Sequence, residues 1–188
     1  MRDAKVELAF ADGNYVFRLS WGSLIELQEA VGMGPYAILN QLNSDQWKVE
    51  QISEIIRLGI LGGDKTLHPT KATKLVDRYV KDRPPFENLV LARAVLTVAL
   101  FGAPDEDENK SAAKGDEIET TDGKLKAKEI YGAGAVMGFT PQQINEMSVW
   151  QFMSAFDGYV KHHAPDDGKL TPEEFNELGD FLETVPEG

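Results

Sequence analysis

Between Pro104 and Lys126 the chain reads PDEDENKSAAKGDEIETTDGKLK, a stretch that no single hydrophobic core can absorb. It holds eight acids and four lysines, no aromatic residue, and only Ile118 and Leu125 as large aliphatics. Such a segment buries too little apolar surface to offset the entropy lost on ordering it, so the expectation is a solvated acidic linker. The alternative is a long surface loop within one domain, although structureless loops of this length are uncommon in compact domains. The linker reading divides the chain into a body at 1–103, a linker at 104–126 and a small module at 127–188.

Charge follows the same division. Residues 1–103 carry 12 Lys and Arg against 12 Asp and Glu, whereas residues 104–188 carry 7 against 19, which accounts for the whole net charge of −12. A basic face for nucleic acid or anionic membrane is not expected from this balance. The acidic half suits solubility, or docking onto a basic protein surface. There is no cysteine, which excludes disulfides and thiolate chemistry and fits a reducing compartment. The longest apolar run, Ala94–Phe101, is interrupted by Thr97 and too short to span a bilayer. MRDAKVELAF lacks the apolar core of a signal peptide.

In the N-terminal body, Val6, Leu8 and Phe10 alternate with small or polar residues, and Tyr15, Phe17 and Leu19 do so after Asp12-Gly13. Asp-Gly between alternating runs predicts a tight hairpin, with Ala11 opposite Asn14, Phe10 opposite Tyr15 and Leu8 opposite Phe17. A lone hairpin is not stable in water, so helices must cover its apolar face. Ser20 is placed to cap a helix over Trp21–Val31, with Gly32 as its stop. Pro35 starts a short helix, and Glu50–Leu61 forms another that Gly62-Gly63-Asp64 should end. Pro69 opens the next, and Pro84-Pro85 precedes a helix over Phe86–Phe101 that is apolar on most sides and so expected at the centre of a bundle.

The C-terminal module predicts a helix over Ala127–Met137, a Gly138-Phe139-Thr140-Pro141 turn, and a helix from the Ser148 cap to about His163. Thr171-Pro172-Glu173-Glu174 signals a final helix. The predicted fold class is mainly α with some β (α+β): a hairpin on a helical bundle, an acidic linker and a small helical module. Trp150, off the apolar arc of its helix, is a candidate partner contact, together with Trp47 and Tyr36.

Catalytic signatures do not emerge. Asp166–Glu174 resembles the second half of a calcium loop, but its first two ligand positions fall on His163 and Pro165, which offer no side-chain oxygen. His162 and His163 are adjacent and cannot bite one metal as an i, i+4 pair would. Gly62-Gly63 lacks the spacing of a phosphate loop. The sequence therefore points to an interaction protein, with no catalytic residue, metal site or cofactor expected.

The ordered run VELAFADGNYVFRLSWGSLIELQE, GPYAIL, WKVEQISEIIRLGILGG, KATKLVDRYV and PPFENLVLARAVLTVALFG resembles a tail-protein family of bacterial gene transfer agents and related siphophages. That family is variously labelled tail tube protein or tail assembly chaperone. The likeness covers about residues 4–103, with Asp64 departing from a glycine run. YGAGAVMGFTPQQINEMSVWQFMSAF, within about 127–160, resembles a second, smaller family of phage tail assembly chaperones, with Ser148-Val149 in place of the usual Thr-Pro cap. The combination resembles the long form of a siphophage tail chaperone. It implies a protein of the bacterial host cytoplasm that binds the tape-measure protein and recruits major tail tube subunits; self-association is a further candidate interaction that the sequence leaves open. The N-terminal body would hold the tape measure and the acidic module would recruit the tube subunits. The alternative is a structural tail tube subunit, for which one hairpin supplies little strand.

Overall fold

The structure, a computed structural model, describes residues 3–102 and 123–163. It is mainly helical with one N-terminal hairpin, as the sequence predicts. Strands β1 (Lys5–Phe10) and β2 (Gly13–Arg18) form the only sheet among the described residues.

The register differs from the expectation by two residues. Phe10 opposes Gly13, Leu8 opposes Tyr15 and Val6 opposes Phe17, so the turn is centred on Ala11-Asp12 rather than Asp12-Gly13. Alternation fixes which face is apolar, and a slide of two residues keeps that face unchanged. Ala11 accepts a left-handed φ of 55°, and the Tyr15 hydroxyl donates to the Asp12 carboxylate in a 2.7 Å hydrogen bond that ties off the turn. That bond pushes the Tyr15 pKa up to about 12. Because the folded value lies above the unfolded one, near 10, its contribution to stability is present below about pH 10 and is lost as pH rises toward 12. Near-ultraviolet titration, taken as the difference from Tyr15→Phe, should show this phenolate appearing near 12 and returning toward 10 in Asp12→Asn.

Helix α1 (Trp21–Val31) starts and stops as predicted, with the Ser20 hydroxyl accepting from the Ser23 amide and Gly32 left-handed at φ 71°. Helix α2 (Pro35–Asn43) follows its initial proline. Helix α3 (Val49–Gly63) runs two residues further than expected and includes both glycines that should have stopped it. The reason is β2. A Cβ on Gly62 would lie 2.1 Å from the Arg18 carbonyl oxygen, and one on Gly63 would lie 1.9 Å from that of Val16. With Gly59, beside the Phe17 ring, they form a bare stripe at i, i+3 and i+4 on which the strand rests.

Helix α4 (Pro69–Val76) passes into a π-helical turn over Asp77–Lys81. The expected helix over Phe86–Phe101 begins instead as a 3-10 turn at Pro85–Asn88 and becomes α5 at Leu89–Phe101. At that junction the buried Asn88 side chain donates to the Tyr79 carbonyl at 2.9 Å, satisfying an acceptor of the irregular turn.

Helices α6 (Ala127–Val136), α7 (Pro141–Glu146) and α8 (Val149–His163) follow, with Thr140 capping α7 as predicted and Gln143 completing a capping box. They share a core with the N-terminal body. Ile144, Val149 and Phe152 join the apolar cluster that contains Trp21 and Leu24. Phe152 meets Trp21 edge to face at 5.6 Å, and the Trp21 amide, first of α1, donates to the Met147 carbonyl at 3.0 Å. Gly22 leaves room for Asn145, and Arg18 donates to the Glu146 carbonyl.

Of the expected linker, residues 104–122 lie outside the described residues. Gly123–Lys126 lie against α1 and α2. Gln28 receives the Leu125 amide at 2.6 Å and donates to its carbonyl at 3.1 Å, as a neighbouring strand would, and Gly123 fits against the Ala37 amide. The predicted final helix at 171 onward and the calcium-like stretch 166–174 also lie outside the described residues.

Candidate interaction surface

Helix α5 is apolar around most of its circumference, but the bundle covers only one side of it. Ala92, Val95, Leu96, Ala99 and Leu100 face the core. On the opposite side Val90 is 73% exposed and Phe101 64% exposed. Val90, Ala94, Thr97 and Phe101 recur at i, i+4, i+7 and i+11 and fall on one line along the helix, roughly 16 Å long at 1.5 Å per residue. Phe86, 64% exposed, precedes Val90 by four residues in the 3-10 turn. The expectation that α5 lies at the centre of the bundle is therefore corrected: it is a wall with one greasy face outward. The signal was in the sequence, because a helix with neighbours on one side needs one apolar stripe, and the surplus must face elsewhere.

Of the three candidate contact residues, the structure brings Tyr36 to this surface. Its ring meets Phe101 edge to face at 6.0 Å, and burial pushes its hydroxyl pKa upward. Trp47 is half-buried in the connection between α2 and α3 and packs against the core. Trp150 is half-buried in the first turn of α8. Periodicity did not single out Phe86, Val90 and Phe101, nor Val136 of α6, which is 53% exposed; Met153, which periodicity places on the apolar arc of α8, is 50% exposed.

Arg93 flanks the stripe. Its guanidinium donates to the Leu42 carbonyl at the end of α2 and lies 4.0 Å from Asp45. The arrangement suits an apolar helix laid along α5, with a cation beside it to meet a carboxylate.

Apart from the α5 face, an open cleft of about 450 Å³ lies between the hairpin tip and the π turn, lined by Phe10, Asn14, Tyr79, Arg83 and Glu87 among others. The Arg83 guanidinium sits over the Tyr79 ring at 4.9 Å. Among the described residues no group of three or more His, Asp or Glu is placed to hold a metal ion, and no helix is long and apolar enough to cross a membrane.

A family model described as "Phage tail tube protein, GTA-gp10" matches residues 3–102, which span the hairpin through α5. The match does not extend to the 127–160 segment that resembles a second family. No curated protein and no solved structure matches the chain.

Proposed function

We propose a function for a chain that belongs to the phage tail tube protein family GTA-gp10 and that therefore acts in a phage or gene-transfer-agent tail. The proposed function is that of a tail assembly chaperone in the host cytoplasm, which covers apolar helices of the tape-measure protein until major tail tube subunits arrive. The observation that carries it is the exposed face of α5, Phe86–Val90–Phe101 with Tyr36 beside it. A helix-sized apolar stripe on an otherwise charged protein is the surface expected of a holder of greasy helices. The helices α6–α8 would present the acidic end of the chain to tube subunits.

The family's description favours a second reading, a structural subunit of the tail tube. Tube walls built from rings of sheets need more strand than the one hairpin among the described residues, which weighs against it.

Co-expression with a tape-measure protein separates the two. A chaperone keeps the tape measure in the soluble fraction and stays bound to it. A tube subunit leaves it insoluble and forms tubes visible by electron microscopy. Val90→Asp combined with Phe101→Asp should keep the circular dichroism spectrum and weaken capture of the tape measure by at least about tenfold. Full rescue of solubility by that variant would remove α5 from the proposal.

A further inference from the structure

The glycine stripe of α3 fixes how the hairpin presents its backbone. The Val16 and Arg18 carbonyls of β2 point at Gly63 and Gly62. Backbone direction alternates along a strand, so Tyr15 and Phe17 turn their amides and carbonyls toward β1, where Leu8 and Val6 oppose them. On β1, therefore, Val6, Leu8 and Phe10 bond to β2, and Lys5, Glu7 and Ala9 direct their amides and carbonyls outward. No other strand pairs with that edge among the described residues, and Lys5, Glu7 and Ala9 are all exposed. Val6 and Leu8, on the core side, are only half-buried, so the apolar face of the hairpin is left incompletely covered beside the open edge.

We propose that this edge pairs with the same edge of a second copy, antiparallel about a two-fold axis at Leu8, to give a four-stranded sheet. Five symmetric registers use the outward-facing residues; two of them, Lys5 on Lys5 and Ala9 on Ala9, overlap at most three residues of each strand, which leaves three. One sets Glu7 directly on Glu7 of the other copy, and like charges directly opposite are unfavourable. One sets Lys5 on Glu7 and overlaps only Lys5–Glu7 of each strand. The third sets Glu7 on Ala9, overlaps Val6–Phe10 of both strands, and brings Leu8 to Leu8 and Val6 to Phe10 on the half-covered apolar face. It satisfies the Glu7 and Ala9 amides and carbonyls of both copies and places no like charges directly opposite. The charges on the edge thus select a register and discourage indiscriminate strand addition.

Light scattering on the full chain at submillimolar concentration should give a dimer. Ala9→Glu puts carboxylates opposite each other twice and should weaken the dimer by about tenfold or more. Adding Glu7→Lys to that variant restores opposite charges and should restore the dimer. Glu7→Pro removes an outward amide without touching the bonds to β2, and should give a folded monomer by circular dichroism. The chain has no cysteine, so Leu8→Cys reports on the axis: a non-hydrogen-bonded pair with Cα atoms about 4.5 Å apart should oxidise to a covalent dimer. A monomeric wild type, or an Ala9→Glu variant as dimeric as the wild type, would overturn the proposal and leave the reading of the α5 surface untouched.

Discussion

Gly63→Ala should lower the melting temperature by roughly 6–12 °C, from a destabilisation of about 3 kcal/mol in a chain of this size. The added Cβ would lie 1.9 Å from the Val16 carbonyl oxygen and 2.5 Å from its carbon, both backbone atoms that no rotamer change can move aside. Relief requires α3 to lift from β2, and that shift separates Phe17, fully buried on the strand, from Ile55, Ile56 and Ile60 of the same core. Helix propensity acts in the opposite direction, but Gly63 is the last residue of α3, so the gain is less than the roughly 1 kcal/mol by which alanine is favoured over glycine in a helix interior. Gly158→Ala in α8, where nothing lies within 4 Å of the new atom, isolates that term and should raise stability by up to about 1 kcal/mol. Thermal denaturation of the pair checks the contrast. Equal, small shifts in both would mean that α3 does not rest on the strand as described.

The same glycines mark where the sequence was legible and where it was not. Ser20, Gly32, Pro35, Pro69 and Thr140 act within one turn of chain, so caps and starts could be placed directly from the letters. Gly62-Gly63 reads locally as a stop, but its role is set by a strand more than forty residues away, which no local rule can see. The hairpin shows the same limit on a smaller scale. Alternation gave the correct apolar face, whereas the register depended on Ala11 tolerating a left-handed φ and on the Asp12–Tyr15 bond. For the interaction surface, the composition of α5 showed a surplus of apolar residues. Which side was left bare depended on the neighbours that tertiary packing supplied, and Tyr36 became meaningful only once Phe101 was seen beside it. The seat of α6–α8 was hidden for a similar reason: Trp21 to Met147 joins two backbone groups that every sequence possesses, and the Gln28 side chain meets only the backbone of Leu125.

That seat supplies the second large effect. Phe152→Ala should cost about 3–5 kcal/mol, the range for truncating a buried aromatic side chain. Phe152 is 4% exposed and closes over Trp21, whose indole Nε1 is buried with no hydrogen-bond partner. Opening the junction admits water to that donor and recovers part of the penalty for leaving it unmet, so the seat should yield before the rest of the core. Hydrogen exchange should then show α7 and α8 losing protection together with the Trp21 amide, whose acceptor is the Met147 carbonyl between them. Ile52, Ile55 and Ile56 in α3 are fully buried beneath other elements, and their amides should keep theirs. Trp21 fluorescence should shift to the red as its ring meets solvent. If the whole chain instead loses protection in one step, α6–α8 and the N-terminal body unfold as one cooperative unit. In that case the proposed chaperone would have to offer its two surfaces without parting its halves.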